Sequence, residues 1–153
     1  DTDRSRGLGD VYKRQVMDFD ILNDKNKFKR VLKCFECDPS GRLSQIAQET
    51  RDAIECDAGK PEETKLRYKR DPLMYLDKIE NEVEELLDRC LECGCLIVRT
   101  GELETVFGEK VAYRSSKRAW LSEALDYLNH LEPGELTSLA IVSDLIKMLQ
   151  VAK

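Results

Sequence analysis

The sequence predicts an α/β chain, with a parallel sheet of few strands and a large excess of helices. Three observations lead to this class. Two short apolar runs, residues 16–22 and 95–98, have the unbroken hydrophobic character of buried strands. Between and after them, apolar residues recur at the three-and-four spacing of amphipathic helices. The resulting order, strand, helices, strand, helices, fits a layered α/β unit. Two strands are too few for a covered parallel sheet, so further strands are expected upstream and the chain is expected to be the C-terminal piece of something longer.

The first fifteen residues, DTDRSRGLGDVYKRQ, carry no apolar periodicity. They resemble translated adaptor or read-through sequence at the end of a metagenomic fragment, so 1–15 is read as a non-native or disordered leader, and 16–153 as the folded part. The next stretch, VMDFDILND, is the most strand-like in the chain, with Val16, Met17, Phe19, Ile21 and Leu22, yet it holds Asp18 and Asp20. In a strand, residues two apart point to the same side, roughly 7 Å apart. Both carboxylates then share one face, where they repel each other and lose hydration near a core. A divalent cation would compensate.

Asn23 and Asp24 offer cap oxygens to a helix with Phe28, Val31, Leu32 and Phe35 on one face. Asp38-Pro39-Ser40-Gly41 breaks it, and a second helix follows with Leu43, Ile46, Ala47 and Ile54 aligned. After a loop at 57–61 comes the charged stretch PEETKLRYKRDP, whose Lys65, Arg67, Lys69 and Arg70 read as a solvated turn between helices more readily than as phosphate contacts. The strongest helical signal runs from about 72 to 93, with Leu76, Val83, Leu86, Leu87 and Cys90 in a continuous stripe that Gly94 terminates. The run 95–98 is a buried strand ending at Arg99-Thr100-Gly101, followed by Glu102-Leu103-Glu104. Ser115 or Ser116 can cap a helix carrying Trp120, Leu121, Ala124 and Leu125, and a final amphipathic helix follows Pro133-Gly134.

At 153 residues the chain suits one domain, and its net charge of −5 argues against wholesale coating of nucleic acid. A local site in which metal ions meet phosphates remains compatible with that charge. No run approaches the about 18 apolar residues of a membrane span and no signal peptide is recognisable, so a cytoplasmic location without membrane contact is expected. Six cysteines without a secretory signal point to reduced thiols or metal ligands.

Ligands of open α/β sheets gather beyond the carboxyl ends of the strands. Both strands end in acidic residues: Asp18 and Asp20 on the first, Glu102 and Glu104 just past the second. As parallel neighbours they would bring four carboxylates to one rim. Hard oxygen donors suit Mg²⁺ or Mn²⁺, and two such ions can clamp the attacking and leaving oxygens of a phosphodiester. The plainer alternative makes these residues turn formers and helix caps.

VMDFDILND, the later R-T-G-E-L-E and the helical K-R-A-W-L-S-E-A-L together resemble the C-terminal part of the Toprim nuclease domain of OLD-family (overcoming lysogenization defect) ATP-dependent endonucleases. The resemblance spans about residue 16 to the end and implies a truncated Toprim-like (Rossmannoid) domain, with a helical insertion at about 25–93 and a helical C-terminal tail. By resemblance, Asp18 and Asp20 match the metal-binding aspartate pair, Glu102 or Glu104 the later acidic residue, and Lys117 a basic residue near the metals. The family's upstream glutamate and its ABC-type (AAA-like) ATPase with a phosphate-binding loop have no counterpart here, since no G-x-x-x-x-G-K-[ST] occurs. The resemblance implies a fragment of a Mg²⁺- or Mn²⁺-dependent, ATP-coupled DNA endonuclease, inactive alone, with ATP bound only in the missing N-terminal part. The implied partners are DNA, that ATPase portion and a second copy in a homodimer.

Two other readings stand beside it. A haloacid-dehalogenase-like phosphatase would use Asp18 as nucleophile and Asp20 as acid/base, with Thr100 and a downstream lysine, but the later acidic pair is missing and Ile21 stands where threonine or valine is usual. A non-catalytic helical interaction domain, with or without zinc, would leave the aspartates as turn residues. The zinc variant draws on two C-x-x-C pairs, Cys34/Cys37 and Cys90/Cys93, with Cys95 nearby. Each pair lies at a helix end and Cys90 continues an apolar stripe, so reduced, mostly buried thiols are expected, Cys56 included. His130, without a nucleophile beside it, reads as a surface or cap residue, and Trp120 as packing.

Overall fold

The structure, a computed structural model, describes residues 14–111 and 116–150. Most of the 1–15 leader and the cap candidate Ser115 lie outside the described residues. β1 is Gln15–Met17 and β2 Cys95–Ile97. The helices are α1 Lys25–Phe35, α2 Arg42–Ala58, α3 Pro61–Lys69, α4 Glu80–Glu92, α5 Lys117–Asn129, α6 Pro133–Ser138 and α7 Ala140–Leu149. The two strands pair in parallel, with Gln15 opposite Cys95 and Met17 opposite Ile97. The fold is thus a small parallel sheet in a mostly helical chain, with α1 to α4 inserted between the strands.

The period of two along β2 divides the molecule. Cys95 and Ile97 face the main core, which collects Phe28, Leu32 and Phe35 of α1, Ile46 and Ile54 of α2, and Val83, Leu86 and Leu87 of α4. Leu96 and Val98 face the other way, onto Leu91 and Met148, so α7 covers the second face. A satellite cluster of Val111, Trp120 and Ala124 anchors α5. The predicted apolar faces of α1, α2 and α4 are the buried ones. Each fully buried aliphatic side chain there contributes about 1.5–3 kcal/mol.

The caps follow the sequence signals. Asp24 accepts from Lys27 N at 3.0 Å, and Ser116 from Ala119 N at 3.3 Å. In the break before α2, the Asp38 carboxylate accepts from Leu43 N (2.8 Å), Ser44 N (3.0 Å) and the Ser44 hydroxyl (2.8 Å). Burial opposes the charge of Asp38, but these donors outweigh it and hold its pKa below the usual value.

Four expectations are corrected. The strand expected at 16–22 stops at Met17, and Phe19–Asn23 forms a 3₁₀ turn. Phe19, Ile21 and Leu22 are all buried, a spacing no alternating strand satisfies, and the turn delivers all three to the core. Arg51, buried on α2, fastens that turn by donating to Leu22 O at 2.7 Å. The charged stretch at 61–69 is helix α3, begun by Pro61, with Glu62 and Glu63 in its first turn and Arg67 and Lys69 in its last, and with Tyr68 fully buried. The helix expected from about 72 begins only at Glu80, because left-handed Asp71 (φ 48°) and Pro72 lead into two 3₁₀ turns, Pro72–Tyr75 and Asp77–Ile79. The final helix is two, separated at the extended Leu139. On α5, Trp120 and Ala124 are buried while Leu121 and Leu125 stay about half exposed. Exposed His130 caps α5, with Nδ1 2.7 Å from Asp126 O.

Candidate metal centre

Parallel pairing makes both strands leave the sheet on the same side. β1 runs directly into Asp18, while β2 continues through Val98, whose N–H donates to Met17 O at 2.9 Å, to Gly101. There the chain turns with φ 116°, and the Gly101 carbonyl accepts from Phe19 N at 2.6 Å. A third segment, the end of α3, lies alongside: Arg70 and Gly101 form an antiparallel bridge, Glu102 N donates to Lys69 O at 3.0 Å, and Asp71 N to Thr100 O at 2.8 Å. The approach is so close that a Cβ on Gly101 would lie 2.0 Å from Lys69 O, so only glycine fits.

This junction gathers the acids. Asp18 Oδ1 accepts from Leu103 N at 2.9 Å, which fixes the aspartate against the turn bearing both glutamates. The Thr105 hydroxyl, 2.6 Å from Glu102 O, tightens the short 3₁₀ turn Leu103–Thr105. Glu102 is 8% exposed, Glu104 6%, and Asp18 is half-buried. One carboxylate oxygen from each of the three lies within 4.8 Å of the others.

Burial first, and then the charge of Glu104, push the Glu102 pKa up; Asp18 adds to the rise, while Lys69 and Arg70 oppose it. Lys117, at the start of α5 and largely exposed, brings Nζ to 3.9 Å from Glu104 Oε2. Three converging carboxylates, two of them nearly buried, form a donor set suited to a hard divalent cation such as Mg²⁺ or Mn²⁺.

Asp18, Glu102 and Glu104 therefore come together, and Lys117 stands at their rim. Asp20 does not join them: it is exposed on the 3₁₀ turn, because the strand that would have set it on the same face as Asp18 ends too early. Both glutamates are in the cluster, where one or the other was expected. Sequence reasoning missed Lys69, Arg70 and Gly101. The basic run was visible, but its apposition to the G-E-L-E segment depends on pairing across about thirty residues of chain, for which there is no local pattern.

Fold and site together define a mostly helical chain around a small parallel sheet, with an acidic cluster beyond the carboxyl ends of its two strands that could hold a metal ion. No family model, curated protein or solved structure matches the chain. Among the described residues, no helix is long and apolar enough to cross a membrane.

Proposed function

We propose that the chain is the C-terminal part of a Toprim-type, OLD-family DNA endonuclease, hydrolysing phosphodiesters at a Mg²⁺ or Mn²⁺ centre held by Asp18, Glu102 and Glu104. The observation that carries this reading is the convergence of three carboxylates, from segments more than eighty residues apart in sequence, within 4.8 Å beyond two parallel strands. A bound divalent ion supplies Lewis acidity toward a phosphoryl oxygen and a lowered pKa for its water.

The chain's own residues divide the remaining work. Asp18 is oriented by the Leu103 amide and keeps further lone pairs for a cation. Glu102, whose affinity for a proton is raised by burial and by Glu104, is suited to accept one from an attacking water. Lys69, Arg70 and Lys117 set positive charge around the acids, which favours an approaching phosphate backbone. In this reading the partners are DNA, an ATPase portion of the same protein and a second copy.

Metal binding is tested by ¹⁵N NMR of the full chain. Mg²⁺ should shift, and Mn²⁺ should broaden, the amides of Asp18, Phe19, Leu103 and Glu104 together, and Asp18→Asn should weaken binding at least tenfold. Broadening centred elsewhere, or unchanged affinity in Asp18→Asn, refutes the centre. Genomic sequence upstream of codon 16 tests the parent assignment, which requires an in-frame phosphate-loop ATPase. Stable fluoroberyllate capture on Asp18 would instead mark a phosphatase.

A further inference from the structure

The charge of the chain is unevenly placed. Its net charge is −5, yet α1, KNKFKRVLKCF, holds Lys25, Lys27, Lys29, Arg30 and Lys33 and no acidic residue. The apolar face of α1, Phe28, Val31, Leu32 and Phe35, is buried, and all of these basic residues are exposed. Lys25, Lys29 and Lys33 stand four positions apart, which sets them in one row at intervals of about 6 Å along the helix.

That row forms one wall of a groove between α1 and α2. Its first part, about 230 Å³, is lined by Lys25 and Lys29 from α1 and by Gln48 and Arg51 from α2, over the buried Phe28 and Ala47. The groove continues past Lys29, Lys33 and Ser44. Arg51 is only 7% exposed, and its guanidinium donates to Leu22 O at 2.7 Å and to Gln48 Oε1 at 2.9 Å, both neutral acceptors. A nearly buried cation held by neutral oxygens keeps an uncompensated charge, and it has further N–H donors to offer.

Other arginines are neutralised: Arg42 pairs with Glu85 at 2.9 Å, Arg67 with Glu63 at 3.0 Å, and Arg99 with Glu84 and Asp88. Among the described residues no carboxylate pairs with Lys25, Lys29, Lys33 or Arg51. Acids close to them in sequence have other donors: Asp24 accepts from Lys27 N, Asp38 from Leu43 N and Ser44 N, and Asp52 from Gln48 Nε2 at 3.0 Å.

We infer that the α1/α2 groove docks the sugar-phosphate backbone of duplex DNA, with one phosphate between Lys25, Lys29 and Arg51 and the lysine row following the strand. Ammonium groups beside a guanidinium are the donors that phosphate oxygens take. The exposed face of α1 has no aromatic residue on which an unpaired base could stack, so a duplex bound without sequence preference fits better than a single strand. A membrane surface fits worse, because the apolar residues of α1 already lie in the core. The choice of DNA as the polyanion rests on the nuclease reading. The groove also adjoins the acidic centre through one element: Asp18 precedes the 3₁₀ turn Phe19–Asn23, and Arg51 holds the Leu22 carbonyl of that turn. Five residues of 3₁₀ turn span about 10 Å. One strand of a duplex covers that distance in about three nucleotides.

The test is fluorescence anisotropy of the full chain with a short labelled DNA duplex, in chelator so that neither metal binding nor cleavage contributes. The triple variant Lys25→Gln, Lys29→Gln, Lys33→Gln should lose at least tenfold in affinity. Its slope of log K against log salt should be shallower by about 2.7, from about 0.9 per phosphate contact. These side chains are exposed, so its circular dichroism melt should match wild type. Lys60→Gln, Lys65→Gln, Lys78→Gln, with the same change of net charge on other elements, should bind within twofold of wild type. Equal loss in both triple variants, or wild-type affinity in the α1 variant, overturns the groove. Tighter binding of an RNA duplex, or binding of phosphatidylserine vesicles in place of DNA, overturns the assigned partner. The Mg²⁺ response of the Asp18 amide is read separately. Wild-type affinity in the α1 variant with that response intact removes the groove alone, whereas binding through α1 without any Mg²⁺ response keeps the groove and removes the nuclease reading.

Discussion

Replacing Glu102 by glutamine should stabilise the metal-free protein and remove its response to Mg²⁺. Unit charges 4.8 Å apart at an effective dielectric constant of about 20 repel by about 3 kcal/mol per pair. Lys69, Arg70 and Lys117 offset part of this, leaving a net relief of about 1–2 kcal/mol when one of the three charges is deleted. For a chain of this size, that raises the melting temperature by about 3–6 °C in chelator. Wild type should gain stability with Mg²⁺ or Mn²⁺, because the ions bind the folded state, and the variant should gain much less.

The pH dependence carries the same sign. The folded-state pKa of Glu102 lies above its unfolded value of about 4.3. Its contribution to stability is therefore fully present below that unfolded value and is lost as pH rises through the raised folded value. Metal-free wild type should melt higher as pH falls from neutrality toward that window, and Glu102→Gln should lack this rise. Circular dichroism melts at several pH values, with chelator and with saturating Mg²⁺, measure all of this. A variant that melts below wild type in chelator, or keeps the full Mg²⁺ shift, refutes the picture of strained, converging acids.

Gly101→Ala should cost about 3 kcal/mol or more, since its Cβ meets Lys69 O at 2.0 Å and its φ is 116°; a denaturant midpoint close to wild type would show that the three-segment junction is not formed. The Tyr68 hydroxyl is fully buried with no hydrogen-bond partner among the described residues, so Tyr68→Phe should raise stability by about 1 kcal/mol in urea titrations, and a loss would reveal a partner. Leu86→Ala should remove about 2–5 kcal/mol from the main core, read by the same titration. Asp38, with its folded pKa below the unfolded value of about 3.9, contributes stability above that value that disappears as pH falls through the lowered one. Asp38→Ala should cost about 1 kcal/mol at neutral pH and flatten the acid limb of the stability curve.

Legibility varied by element for physical reasons. The helices α1 and α2 were readable because Phe28, Val31, Leu32 and Phe35, and Leu43, Ile46, Ala47 and Ile54, repeat at a period only a helix satisfies, and every one of these residues is buried. α3 was hidden by its charge: a single buried residue, Tyr68, anchors it, so no periodic signal could form. The segment after Met17 misled because Phe19, Ile21 and Leu22 are apolar enough for a strand, and the choice of a 3₁₀ turn comes from where the core lies relative to them. At the site, the acidic residues at both strand ends were visible, and the parallel pairing that unites Asp18 with Glu102 and Glu104 was anticipated; the exclusion of Asp20 was not.

Local periodicity and composition were enough to specify helices in excess, two short strands and acids at the strand ends, because those properties depend on residues a few positions apart. Which acids meet, and that Lys69 and Arg70 border them, depend on contacts between segments tens of residues apart. Such contacts are set by the packing of whole elements against one core, and only the tertiary structure decided them.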